Sequence, residues 1–265
     1  MSGIDRYINV LNLFTTEKSM WTAQKVASAL NVPTSTTYRT MRELARVNML
    51  ESAMEGHYRL GSAFIEFDRR TRLTDPLVQV GEPMLTDIVH HANIPCVAVL
   101  ARLYGSTVMC IADSRSAGTA VQTSYERGRP RPLTRGATSK VILAQLTTRR
   151  LNKLLGTANP SRPPISWSDA AFRDELALIR KNGYCVARGE VDEGRVGIAV
   201  PISIQEQALI ASLSLVIDAA SSNQSLERQL VLLLVSAAAL IKEQLAPRIP
   251  TLGSESEASS EGSNK

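Results

Sequence analysis

The sequence predicts an α+β protein with two domains, a small helical domain at the N-terminus and a larger domain that combines a sheet with helices. Three observations predict it. Residues 22–44 follow the pattern helix, short turn, helix, and two short alternating segments then surround Gly56. Beyond Asp75, predicted strands occur in groups that helices flank. A chain of 265 residues, of which 44% are hydrophobic, can bury a core in each domain.

Composition restricts the class of protein. The net charge of +5 and the pI of about 9.3 permit nucleic-acid binding without requiring it. Cys96, Cys110 and Cys185 form no CxxC pair and lie in apolar segments, which predicts reduced thiols rather than disulfides or metal ligands. The N-terminus has no signal-peptide pattern, and the longest apolar run, 230–241, is shorter than a bilayer span of about 18–20 residues. We therefore expect a cytoplasmic protein without membrane insertion.

The N-terminal domain is predicted from helical periodicity and caps. Apolar residues in 4–14 recur at the spacing of an amphipathic helix. Thr22 can cap a second helix over 23–30, which the turn 31–33 separates from a third helix over 33–44. A short turn between two helices indicates a helix-turn-helix, whose second helix reads DNA.

This third helix has two different faces. One side carries the packing residues Thr37, Met41, Leu44 and Ala45. The other side carries Ser35, Thr36, Arg39, Arg42 and Glu43. The helix opens with Pro33, placed in its first turn, and three small hydroxyl residues without an acid, which suits a phosphate near the helix N-terminus.

The segments 49–52 and 57–60 alternate around Gly56 and predict a hairpin, the wing of a winged helix. His57 and Arg59 are candidates for phosphate or minor-groove contact. The alternative for Arg59 is that it only solvates a strand edge. A helix over 62–72 with exposed aromatic residues is expected either to support dimerisation and coupling or to pack on its own domain.

The second domain is predicted to begin after Asp75. Its expected helices cover 76–91, 136–145, 168–182 and 226–245. Its expected strands cover 96–102, 107–112, 119–124, 184–188, 196–203 and 209–217. The tail after Thr251 is rich in Ser and Glu and is expected to be disordered.

Four segments resemble the IclR family of bacterial transcriptional regulators, and the resemblance runs from about Ile4 to about Leu245. VASALNVPTSTTYRTMREL resembles the family's second and recognition helices, and NMLESAMEGHYRLG resembles its wing. RPLTRGATSKVILAQL and NGYCVARGEVDEGRVGIAVPI resemble the segments that border the family's effector pocket. The resemblance implies a winged helix over 1–61, a linker helix over 62–75, a GAF-like effector domain over 76–248 and a tail over 249–265. It also implies dimers through the first domain and often tetramers through the second.

The resemblance also implies site residues. The DNA-binding positions are Thr34, Ser35, Thr36, Tyr38, Arg39, Arg42, His57 and Arg59. The effector-binding positions are Ala137, Thr138, Ala187, Gly197, Ser212 and Ser214. Thr134 stands where the family often has His, Ser139 where Gly is common, Ala187 where an acid is sometimes used, and Gly197 where Cys is frequent. The smaller residues at Ala187 and Gly197 suggest room for a larger ligand, such as an aromatic acid.

The expected partners are a palindromic double-stranded DNA operator, a small organic acid and further copies of the chain, and no cofactor or metal is expected. Two alternatives stay open: an enzyme that uses the GAF-like pocket, and a winged helix that contacts only proteins. No motif places a nucleophile, a base and an orienting group together. The acidic loop at Glu190, Asp192 and Glu193 is either a cation site or a polar loop over the pocket. Nothing near Lys140 in the sequence indicates a desolvated amine.

Overall fold

The computed structural model describes residues 3–156, 170–204 and 209–246. The chain divides into two compact units, Met1–Asp75 and Pro76–Lys265. The tail predicted to be disordered after Thr251, and Ser168, which was predicted to cap a helix, lie outside the described residues.

The N-terminal unit is a winged helix. Its helices are α1 (Gly3–Leu11), α2 (Ala23–Leu30), α3 (Thr34–Arg46) and α4 (Ala63–Thr74). Its strands, β1 (Trp21–Thr22), β2 (Leu50–Ser52) and β3 (His57–Leu60), form an antiparallel sheet in the order β1-β3-β2. The predicted helices and the hairpin are present, although α1 ends three residues before the predicted 14.

Local chemistry sets the boundaries of these elements. The Thr22 hydroxyl accepts a hydrogen bond from Lys25 N and caps α2, and Asn31 ends α2 in the left-handed conformation with φ 54°. The hydrophobic core of this unit is formed by side chains from three helices, from the wing and from the segment between α1 and β1. It consists of Val10, Phe14, Trp21, Val26, Met41, Leu44, Leu50 and Tyr58.

Gly61 allows the wing to close. A Cβ atom at Gly61 would lie 2.2 Å from the carbonyl oxygen of Asn48, which is backbone and has little freedom to move. The amide of Gly61 also donates to Met49 O at 3.0 Å. A glycine is therefore required where the end of β3 passes the start of β2.

The second unit contains a six-stranded antiparallel sheet in the order β6-β5-β4-β9-β8-β7. The strands are β4 (Cys96–Tyr104), β5 (Thr107–Arg115), β6 (Pro130–Arg131), β7 (Cys185–Arg188), β8 (Arg195–Ile204) and β9 (Leu209–Asp218). The helices are α5 (Pro76–Ala92), α6 (Ala137–Ala144), α7 (Thr148–Gly156), α8 (Ala170–Asn182) and α9 (Gln224–Leu245).

Helices cover both faces of this sheet. Along β4, Ala98 and Leu100 belong to the core that includes α5 and α9, whereas Val97 and Val99 belong to the core that includes α6 and α8. Alternate residues of a strand point to opposite faces, so a continuous apolar run is buried on both sides. The predicted α+β class is confirmed.

One predicted strand is wrong. Residues 119–124 form an irregular loop because their polar groups bind side chains instead of a neighbouring strand. The amide of Val121 donates to Thr119 Oγ1, and the amide of Ser124 donates to Asp192 at 2.9 Å. The edge of the sheet is formed instead by β6, which was not predicted, and α7 was also missed.

Helix α9 is longer than the apolar run suggested. Its 22 residues have the length and mean hydropathy that a membrane-crossing helix needs. Its inner stripe, which includes Leu230, Leu234 and Ile241, is buried in the core against the sheet. Outside this stripe, Leu232, Val235 and Leu240 are exposed.

Candidate DNA-binding and effector sites

The two faces of α3 differ in burial as predicted. Thr37, Met41 and Leu44 are buried, and so is Thr40. The exposed side chains are Thr34, Ser35, Thr36, Tyr38, Arg39 and Arg42. The buried hydroxyls of Thr37 and Thr40 donate to the carbonyls of Pro33 and Thr36, so they need no partner outside the helix.

The N-terminus of α3 is available to an anion. Pro33 is the N-cap with φ −59°, rather than a residue of the first turn as predicted, and no side chain in the described part of the chain caps the helix. The first turn contains no acid. Free amides and the positive end of the helix dipole favour a phosphate group at this point.

Two arginines on the exposed face are oriented by neighbours on the same helix. Arg39 Nε lies 3.3 Å from Glu43 Oε1, and the guanidinium of Arg42 lies 5.9 Å from the ring centre of Tyr38. Glu43 also accepts a short hydrogen bond from the hydroxyl of Tyr7. That bond, together with the charges of Arg39 and Arg6, holds the pKa of Glu43 below its usual value. Glu43 therefore stays ionised beside Arg39.

Both wing candidates make bonds within the wing. Arg59 donates to both carboxylate oxygens of Glu51 across the hairpin, at 3.0 and 3.1 Å. These bonds lower the pKa of Glu51 and raise that of Arg59. His57 is half-buried, with Nδ1 3.3 Å from Met54 O. Of the two, Arg59 is exposed and would have to share or leave Glu51 to reach a phosphate.

A small cavity of about 30 Å³ lies at the N-terminus of α6. Four of the six predicted effector residues, Ala137, Thr138, Ala187 and Gly197, line it. Ala187 and Gly197 are paired in register on β7 and β8. The remaining lining residues are Tyr125, Gly136, Gly189, Glu190, Val191, Asp192, Arg195 and Val216.

The two predicted serines differ. Ser214 Oγ lies 3.0 Å from Thr138 Oγ1 and contacts Val99 O at 3.4 Å, so it connects the cavity wall to the sheet. Ser212 is fully buried, is not among the lining residues, and has no hydrogen-bond partner for its hydroxyl among the described residues. Ser212 lies two residues from Ser214 on the same face of β9, which places it about 7 Å further along the strand.

Lys140 is buried, which the sequence did not indicate. Its side chain is 8% exposed, and Nζ lies 2.7 Å from Glu175 Oε1 and 2.6 Å from Glu190 Oε1. Burial disfavours the charged form, but the hydrogen bonds and charges of the two carboxylates outweigh burial and raise the pKa of Lys140. The amine therefore stays protonated and is no candidate for a Schiff base.

The acidic loop binds protein donors. Glu190 Oε2 accepts a hydrogen bond from Gly136 N at 2.9 Å. Asp192 accepts from Thr123 Oγ1 at 3.0 Å and from the amide and hydroxyl of Ser124. Burial raises the pKa of Asp192, but these bonds outweigh burial and lower it overall. Within the described residues no group of three His, Cys, Asp or Glu side chains is arranged to bind a metal.

A wider polar depression of about 660 Å³ lies on the outer side of the acidic loop. Three arginines line it, and each has an acidic partner: Arg115 with Asp113, Arg129 with Glu126, and Arg195 with Asp218. Although this depression is larger, the smaller cavity is the one lined by the N-terminus of α6 and by four of the predicted effector residues. We therefore take the smaller cavity as the candidate effector site.

Sequence profiles of two domains match this chain. The profile described as "Bacterial transcriptional regulator IclR C-terminal" matches residues 74–243, and the "IclR helix-turn-helix domain" matches residues 3–53. The first match alone covers more than half of the chain. The chain belongs to the IclR family of bacterial transcriptional regulators. It is therefore a DNA-binding transcriptional regulator and not an enzyme.

Individual IclR-family proteins are similar along most of the chain. The HTH-type transcriptional regulator XynR of Escherichia coli K12 is 26% identical over 227 residues, which cover 81% of this chain and 85% of XynR. The Pca regulon regulatory protein of Pseudomonas putida is 23% identical over 220 residues, covering 81% and 73%. An IclR homologue from Microbacterium hydrocarbonoxydans, solved with 4-hydroxybenzoate, has 25% identity and a TM-score of 0.76, covering 92% of this chain and 99% of the homologue.

Eight of the twelve residues that line the cavity were not predicted as effector-binding residues. Among them are Tyr125, Glu190, which the sequence placed only in a polar loop over the pocket, and Val191. A signal for the last two was present. Gly189 and Gly194 flank the acidic loop in the sequence and indicate a segment that can turn sharply at each end. In the structure both glycines have positive φ. For Tyr125 the local sequence offers no signal.

Proposed function

We propose that this IclR-family regulator binds a small organic acid in the cavity at the N-terminus of α6, and that the acid changes its affinity for an operator that controls a catabolic operon. The observation that carries the proposal is the juxtaposition of that helix N-terminus with the hydroxyl of Thr138 in the cavity, where Ser214 Oγ lies behind Thr138 Oγ1 at 3.0 Å. Helix amides and hydroxyls are suitable donors for a carboxylate.

An aromatic acid is the class of effector that we propose. The small residues Ala187 and Gly197 line the cavity beside the helix, and a Cβ atom at Gly197 would make an ordinary contact with Ala137 Cβ at 3.6 Å. The 4-hydroxybenzoate complex of the Microbacterium homologue supports the same class of ligand. Ser212, which is buried and does not line the cavity, would support the position of Ser214 rather than contact the ligand.

For the first unit, we propose that α3 enters the major groove and presents the predicted positions from Thr34 to Arg42, while His57 and Arg59 of the wing face the adjacent backbone. A homodimer or homotetramer would place two such helices on a palindromic operator, with half-site centres about one helical turn, or a multiple of it, apart. The protein would act in the cytoplasm, where its DNA is.

The test is operator binding in the presence of benzoate, 4-hydroxybenzoate and aliphatic acids of similar size. We expect one aromatic acid to change operator affinity and to raise the melting temperature of the wild-type protein. A Gly197→Leu side chain would fill the cavity, so this variant should bind the operator normally and lose the response.

Gly197→Ala is the matched control, because its methyl group fits and the response should persist. A Gly197→Leu protein that still responds at the wild-type acid concentration would show that the effector binds elsewhere. No response of the wild-type protein to any acid tested would contradict the effector class.

A further inference from the structure

Residues 189–194, which we term the strap, close the effector cavity. The strap begins at Gly189 and ends at Gly194, with φ of 63° and 69°. At its centre, Val191 Cγ2 lies only 2.6 Å from the position that a Cβ atom on Gly136 would occupy. The valine side chain therefore packs directly on the start of α6.

Two carboxylates fasten the strap to different partners. Glu190 accepts hydrogen bonds from Gly136 N at 2.9 Å and from Lys140 Nζ at 2.6 Å. Asp192 accepts hydrogen bonds from Thr123 Oγ1 at 3.0 Å and from Ser124 N at 2.9 Å. Glu190 thus provides the anion that the N-terminus of α6 and the buried amine favour.

A further polar group at the same point has no well-aligned partner among the described residues. Tyr125 is 4% exposed and lines the cavity, and its hydroxyl lies 2.9 Å from the Cβ position of Gly136. Burial raises the pKa of Tyr125, and the nearby hydroxyls of Ser139 and Thr138 offset part of that rise. A buried donor without a well-aligned acceptor is costly, and an atom of a ligand or of a water molecule in the cavity would supply that acceptor.

The cavity is too small for the effector that we propose. Its volume of about 30 Å³ is enough for a water molecule but not for a benzoate-sized acid. Entry of an acid therefore requires that a group now in the site moves away. The strap is bounded by two glycines, and Glu190 already holds the position that suits a carboxylate.

We propose that Glu190 is an internal occupant of the carboxylate site, and that the effector's carboxylate replaces it on Gly136 N and Lys140 Nζ, releasing the strap. This inference rests on the proposed function, since it describes how the same site is regulated. One carboxylate replaces another, so the charge that faces Lys140 is unchanged. The gain comes from the apolar body of the acid, which takes the place of Val191, and from an acceptor for the Tyr125 hydroxyl.

The exchange selects monocarboxylates with a compact apolar body. A second carboxylate on the ligand would enter a site that still contains Glu175, 2.7 Å from Lys140. The arginine that lines the cavity, Arg195, is already paired with Asp218 at 2.6 Å. Acetate carries the required charge without the apolar body. It should therefore fail to displace Glu190 but should fill the site when Glu190 is absent.

The experiment measures the melting temperature of Glu190→Ala and of wild type in sodium acetate and in sodium chloride of equal ionic strength. We expect Glu190→Ala to melt several degrees below wild type. Acetate, but not chloride, should restore at least half of this loss in melting temperature, and the effect should saturate as the acetate concentration rises. Wild type should show no acetate-specific shift. Glu193→Ala, which removes an exposed acid from the same strap, should behave as wild type.

The absence of acetate-specific recovery in Glu190→Ala, or an equal acetate shift in wild type, would overturn the proposal. If Glu190→Ala does not fold, hydrogen exchange of Glu190→Gln is measured instead. Loss of the charge should speed exchange of the amides of 189–194 on the order of tenfold. An unchanged exchange rate would overturn the proposal as well.

These outcomes are independent of the effector screen. If acetate restores the melting temperature of Glu190→Ala but no acid changes operator binding by wild type, Glu190 is supported as the internal occupant and the proposed effector function is contradicted. An acid that acts on wild type, without acetate recovery, would leave the effector function standing and remove Glu190 from its regulation.

Discussion

Replacement of Arg39 by alanine tests whether α3 reads base sequence. Arg39 lies five residues after Thr34, about 7.5 Å along the helix, in the half that a recognition helix inserts into the major groove. Its side chain is 75% exposed and its one pair with Glu43 is at the surface, so the folded unit should tolerate the change. The effect should therefore appear in DNA binding rather than in stability.

The expected loss follows from the geometry of arginine on guanine. A bidentate contact to a base edge contributes about 1–3 kcal/mol of discrimination, which corresponds to roughly 5- to 150-fold in Kd. Glu43 lies 3.3 Å from Arg39 Nε and leaves the terminal nitrogens of the guanidinium to face DNA. If Arg39 contacts a base, its loss should weaken binding to operator DNA only. If it contacts a phosphate, its loss should weaken binding to every DNA sequence.

The assay is fluorescence anisotropy at one fixed salt concentration, with an operator selected from random DNA by the wild-type protein and with a scrambled duplex of the same composition. Arg46→Ala is the matched control, because it removes the same charge from an exposed position at the other end of α3. We expect Arg39→Ala to reduce the ratio of operator to scrambled affinity, and Arg46→Ala to leave that ratio unchanged. Equal ratios for Arg39→Ala and wild type would refute base reading by Arg39.

Three further predictions concern the wing and the buried amine. Glu51→Gln should free Arg59, so the slope of log K for DNA binding against log salt concentration should become steeper by about one. An unchanged slope would mean that Arg59 does not reach a phosphate. Gly61→Ala should destabilise the first unit by about 1–3 kcal/mol or more in urea, since the new Cβ meets backbone at Asn48; a wild-type midpoint would contradict this. Because the pKa of Lys140 is raised above 10.5 on folding, its stabilisation is complete below that pH and is lost as pH rises through the folded pKa. Above neutral pH, the difference in unfolding free energy between wild type and Lys140→Gln should therefore shrink only in strong alkali. A difference that stays constant there would exclude the ion pair as its source.

Much of the first unit was determined by the sequence itself. Helical periodicity placed α2 and α3, Thr22 and Asn31 marked the ends of α2, and the two faces of α3 follow from side chains three and four residues apart. These signals are local, because each depends on neighbours within one or two helical turns. The family resemblance then indicated DNA binding, and the matched profiles confirm it.

Only the tertiary structure decided how the cavity at the N-terminus of α6 is built. Thr and Val in 119–124 favour a strand, but Asp192 binds Ser124 from 68 residues away and draws the segment into a loop. Lys140 meets Glu175 and Glu190 across 35 and 50 residues, and Thr138 meets Ser214 across 76. Such contacts depend on the order of the strands and on which helix covers which face. Periodicity shows that a side chain turns inward, but the partner that it meets there is set by the packing of distant segments.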